Sequence, residues 1–81
     1  MADLLDQMRR NPQGNWTLTD VQKVCDQNDV TCKAPSGGGG SHYKVSHPHM
    51  TYILTVPFWR PIKPVYVRAL VGFISIVREL P

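Results

Sequence analysis

Val30-Thr31-Cys32-Lys33-Ala34, Pro35-Ser36-Gly37-Gly38-Gly39-Gly40-Ser41 and His42-Tyr43-Lys44-Val45-Ser46 follow one another without a break, and residues 30–46 decide the architecture. The first run alternates. Val30, Cys32 and Ala34 share one face of a strand, and Thr31 and Lys33 share the other. The third run alternates as well. Tyr43 and Val45 belong to a core side, while His42, Lys44 and Ser46 face the opposite way. The glycine-rich run between them has the composition of a flexible linker. Its flanks nevertheless alternate as partner strands of one hairpin, and neither half of the chain could bury a core alone. It therefore reads as a hairpin loop. Glycines there would let a phosphate approach backbone N–H groups closely, or would only supply φ > 0. The run lacks the Lys-Ser/Thr ending of a P-loop, so nucleotide binding is not indicated.

Upstream of the hairpin the sequence predicts two helices. Asp3 caps a short one reaching about Arg10, with Leu4, Leu5 and Met8 on its apolar side. Asn11-Pro12-Gln13-Gly14 ends it. The second is expected to start at Thr19, with Gln22 three residues on as a capping box and Asp20 suiting the helix dipole. Val21, Val24, Cys25 and Asn28 fall at i, i+3, i+4 and i+7, and Asn28 stops the helix.

Downstream, His47 to Thr51 reads as a loop broken by Pro48, and Ile53 to Val56 as a third strand ended by Pro57. Phe58 to Lys63 is a loop with Pro61 in it. Pro64 is placed as the first residue of a last helix that runs to about Arg78. Val67, Leu70, Val71, Ile74 and Val77 form one apolar stripe, expected on the sheet. Tyr66, Ala69, Phe73 and Ile76 form another, expected against the Thr19–Asn28 helix or a partner chain.

The order helix, helix, strand, strand, strand, helix predicts an α+β fold. Short links favour a three-stranded antiparallel sheet with its helices packed on one face. The other face would then carry Thr31, Lys33, His42, Lys44 and Ser46.

At 81 residues the chain has room for one thin core and one domain. We read 1–15 as an N-terminal helical extension and 16–79 as the core. Nine Lys and Arg against six Asp and Glu give a formal charge of +3, which suits a polyanionic partner. No basic start followed by an apolar run opens the sequence, and no apolar stretch is long enough to span a bilayer. The expectation is a cytoplasmic protein with no membrane partner and reduced thiols, although a Cys25–Cys32 disulfide is allowed by spacing. Cys25 and Cys32 are too far apart for a usual zinc-finger pair and sit on different elements, so neither metal nor other cofactor is expected.

Gly40-Ser41-His42 lies between a hairpin turn and a strand. With His47-Pro48, Leu54-Thr55-Val56-Pro57, and Lys63 before a helix carrying Arg68, it resembles the HicA family of bacterial toxin–antitoxin pairs. The resemblance covers roughly Thr19 to Val77. It implies a double-stranded-RNA-binding-domain-like fold with a catalytic histidine at His42, endoribonuclease activity on mRNA, and a HicB-type antitoxin covering the active face. The chain departs from the family pattern in two places. Lys63 is followed by Pro64-Val65-Tyr66 where many members have Lys-x-Gly-Thr-Leu, and Phe58-Trp59-Arg60 stands in a loop that is usually more polar.

The chemistry suits the residue. RNA is cut without a metal when a base removes the 2′-OH proton, the oxygen attacks the adjacent phosphorus, and an acid protonates the departing 5′-oxygen. An imidazole, with an unperturbed pKa of ~6.5, serves either role. We read His42 as the general base and Lys44 as a phosphate clamp. Lys33, Gly40, Ser41, Arg60 and Lys63 are the other RNA-binding candidates. By itself a histidine at a strand start is more often a solvated residue than a catalyst, and lysines on a strand are by default solvated too. The resemblance is what turns the expectation toward catalysis. Tyr43 reads as core, and His47 and His49 as loop residues. Phe58 and Trp59 could stack bases, plug the core or touch the antitoxin. Two competing functions are a non-catalytic RNA-binding module of the double-stranded-RNA type and a pure interaction protein that uses the second stripe of the last helix.

Overall fold

A computed structural model describes residues 3–34, 42–57 and 61–80. Its elements are α1 (Leu4–Arg10), α2 (Leu18–Gln27), β1 (Thr31–Lys33), β2 (His42–Ser46), β3 (Leu54–Pro57) and α3 (Pro64–Glu79). The fold is α+β, as the alternation predicts. The strands form one antiparallel sheet in the order β1-β2-β3. No helix among the described residues is long and apolar enough to cross a membrane.

α1 starts where Asp3 accepts a hydrogen bond from the Asp6 amide at 2.9 Å. Asn11 ends it, its N–H reaching the Gln7 carbonyl. Leu5 and Met8 are fully buried. Read from sequence as an extension, α1 in fact lies along α3 and supplies part of the single core. The helix laid along α3 is thus α1, where the sequence pointed to the Thr19–Asn28 helix, a partner chain or both. Polar contacts reinforce the contact. Arg9 donates to Ser75 Oγ at 2.7 Å, and Arg78 donates to Asp3 at 2.6 Å.

α2 begins two residues earlier than its sequence suggests. Thr17, not Thr19, is the N-cap. It forms a capping box with Asp20, whose carboxylate accepts from the Thr17 N–H at 2.8 Å while the Asp20 N–H donates to Thr17 Oγ1. Both threonines fit the motif locally. With Thr17 as the cap, Asp20 both closes the box and sets its charge in the first turn at the helix's positive end. This choice also sets half-buried Trp16 just before the cap and buried Val21 at the fourth helical position, the spacing of a hydrophobic staple. Trp16 is held further by its indole N–H on the Asn11 carbonyl, and its own carbonyl accepts from Ile62.

α2 ends at Asn28, as its sequence predicts. Asp29 follows with φ 56°, and the Val30 N–H returns to the Cys25 carbonyl at 2.9 Å while the Asp29 N–H points to Asp26. These two bonds form a Schellman turn with aspartate in the left-handed position usually held by glycine. The turn delivers the chain directly into β1. Buried Val30 belongs to the turn, and β1 itself is shorter than the alternation implies.

The sheet has two unlike faces. Val45 and Val56 are fully buried, and half-buried Cys32 packs with them against the helices. α2 packs on β1, and α3 packs on β3. α3 buries Val67, Leu70, Val71, Phe73, Ile74 and Val77, so residues of both apolar stripes enter the core while Ile76 stays exposed. Tyr52 meets the fully buried Phe73 edge-on, with ring centroids 5.4 Å apart.

Candidate functional site

His42, Lys44 and Ser46 leave β2 on the face opposite Val45, because side chains alternate across a strand. His42 and Lys44 are exposed, and Ser46 is half-buried. Residues two apart on a strand stand about 7 Å apart, so His42 and Lys44 are near neighbours on this surface.

The register completes the surface. Lys33 pairs with Lys44 and Thr31 with Ser46 across β1 and β2. On the other side Thr55 pairs with Lys44 and Pro57 with His42. Directly paired residues project to the same face, so Lys33, Lys44 and Thr55 form one exposed row across the sheet. His42 begins the next row, beside Pro57. The two lysines concentrate positive charge on the face, and the threonines add hydroxyl donors. Among the described residues no acidic side chain belongs to these strands.

Three of the sequence candidates, Lys33, His42 and Lys44, are therefore brought together. Lys63 is not on this face. It is the N-cap of α3, where its carbonyl accepts from the Tyr66 and Val67 amides, and its side chain is exposed. Gly40, Ser41 and Arg60 lie outside the described residues, as do Phe58 and Trp59. Thr55 was not among the sequence candidates. Its signal was a lone polar residue among Leu54, Val56 and Pro57, visible only once the third strand is paired with β2.

The other histidines sit in a turn. His47 Nδ1 accepts from the His49 amide at 3.1 Å, and the His47 carbonyl accepts from Met50. These bonds give the pair a structural use in shaping the link between β2 and β3. Among the described residues, no group of three or more His, Cys, Asp or Glu side chains is placed to hold a metal ion.

This geometry can do two things. The lysine row can neutralise adjacent phosphates of a nucleic-acid backbone. An imidazole at its edge can exchange a proton with a group held there. Comparison with known proteins brings no family model, no curated protein and no solved structure that matches the chain.

Proposed function

We propose that the open sheet face binds RNA and that His42 cleaves it, in the manner of a HicA-type mRNA interferase with a double-stranded-RNA-binding-domain-like fold. The observation that carries this reading is the exposed triplet of His42, Lys44 and Lys33 on one face of β1 and β2. The motif Gly40-Ser41-His42 supplies the family resemblance.

In this reading a phosphate rests on Lys44 and Lys33, which offset the charge that builds up on its oxygens. A His42 nitrogen takes the proton of the neighbouring 2′-OH. The 2′-oxygen attacks phosphorus, the bond to the 5′-oxygen breaks, and that oxygen takes a proton from solvent. The products are a cyclic phosphate and a free 5′-hydroxyl. No metal is needed, because the base and the cations are side chains. Gly40 and Ser41 precede His42 and Arg60 follows Pro57, so each is a further candidate contact to the strand. Lys63, off this face at the start of α3, is left out of this contact set. A HicB-type antitoxin would neutralise the protein by covering the same face.

The test is cleavage of a mixed-sequence single-stranded RNA in excess EDTA, with His42→Ala in parallel. Cutting by the wild type and none by the folded variant supports the reading. If the two behave alike, His42 has no catalytic role. RNA affinity without cutting would then favour a binding module that uses Lys33 and Lys44.

A further inference from the structure

The Schellman turn that ends α2 has a second consequence. Cys25 is the residue whose carbonyl the Val30 N–H reaches, and Cys32 lies two residues further on at the centre of β1, which packs against α2. The turn thus folds Cys32 back over Cys25. The Cys25 thiol is fully buried and hydrogen-bonds the Cys32 sulfur, which is half-buried. Both line an open groove of about 420 Å³ between α2 and β1, with Lys23, Asp26 and Val30 in its walls. Both cysteines are free thiols here.

We propose that Cys25 and Cys32 are a dithiol that closes reversibly to an intramolecular disulfide, with Cys32 as the attacking thiolate and Cys25 as the resolving thiol. The assignment follows from access. Cys32 is half-buried on the edge strand β1, whereas Cys25 is almost wholly buried in α2. Electrostatics agree with it. The hydrogen bond from Cys25 holds the Cys32 thiol below the usual thiol range, with burial working against it. The same bond, and then burial, push the Cys25 thiol up.

The oxidant is a low-molecular-weight disulfide. The Cys32 thiolate attacks one of its sulfurs, the small S–S bond breaks, and one small thiolate leaves. Cys25 then loses its proton and its sulfur attacks Cys32 Sγ. The mixed S–S bond breaks and the second small thiolate leaves. Two protein thiols lose two electrons, one small disulfide becomes two small thiols, and the two protons end on those thiols. The new bond ties α2 covalently to the strand that carries Lys33. This inference stands independently of what the lysine face binds.

The experiment is incubation of the folded protein with oxidised glutathione, followed by intact mass and tryptic mapping. Residues 24–33, bounded by Lys23 and Lys33, form one tryptic peptide that holds both cysteines. The wild type is expected to lose two hydrogens on that peptide and to regain them with dithiothreitol. Cys25→Ser is expected to stop with one glutathione on Cys32, and Cys32→Ser to stay unmodified. A wild type that stops at the glutathione adduct overturns the proposal, as does one that stays reduced. A Cys32→Ser chain modified as readily as Cys25→Ser overturns the assignment of roles.

Discussion

Lys33 and Lys44 stand directly opposite each other across β1 and β2, both exposed on the same face of the sheet. Like charges in this position oppose strand pairing, by about 0.2–1 kcal/mol. Lys33→Met is therefore expected to raise stability by a few tenths of a kcal/mol at low salt, as measured by urea denaturation. The gain should shrink as salt screens the pair. If the face holds a nucleic-acid backbone, the same variant weakens RNA binding and lowers the slope of log K against log salt by about one. An unchanged slope would take Lys33 out of the contact.

His42 is exposed, and its replacement opens no cavity. His42→Ala should leave stability within about 0.5 kcal/mol of the wild type. Under the proposed function it abolishes RNA cleavage while leaving affinity largely in place, because the lysine row remains. Parallel denaturation curves and binding titrations separate the two effects.

Leu5 is fully buried in the core that α1 shares with α3. Leu5→Ala is expected to cost about 2–5 kcal/mol. Were α1 a dispensable extension, the variant would unfold at the wild-type denaturant concentration.

Asp29 holds φ 56° in the turn that ends α2. A side chain in this region costs up to about 1–2 kcal/mol, and aspartate less than most. Asp29→Gly removes that cost at a position where glycine is the usual choice. The expected result is a higher denaturation midpoint with an unchanged slope.

Arg78 ties the ends of two helices to α3. Its guanidinium donates to Asp3 at 2.6 Å and to Asn28 Oδ1 at 2.6 Å. The bond from the Asp6 amide, then the one from Arg78, hold the Asp3 carboxyl below its ordinary value of 3.8. A carboxylate with a depressed folded pKa adds stability that is present above its unfolded pKa and is lost as pH falls through the folded one. Asp3→Asn keeps a capping oxygen and removes the charge. Thermal melts should show the variant below the wild type at neutral pH, with the gap closing as pH falls below about 3.8.

The strands and helices were legible because their signals are local. His42-Tyr43-Lys44-Val45-Ser46 alternates, and β2 has those bounds. Pro64 starts α3, and Asn28 stops α2. The start of α2 was misread because Thr17 and Thr19 each precede an acceptor by three residues. Local pattern cannot rank them, whereas the packing of Trp16 and Val21 against the core can. The placement of α1 was missed for a related reason. A seven-residue helix with Leu5 and Met8 on one side has an apolar face, and nothing in it names the partner.

By itself the sequence determined the type and order of the elements and which side of a strand each side chain takes. Those follow from steric and hydrogen-bonding preferences acting over a few residues. It placed His42, Lys44 and Lys33 on an open face opposite Val45. The tertiary structure decided the register that sets Lys33 against Lys44, the clasp of Arg78 on Asp3, and the meeting of Cys25 with Cys32. Each of these depends on segments brought together through space. Burial of the shared apolar core offsets the entropy of closing the intervening chain, and which segments meet is fixed only when the whole core packs at once.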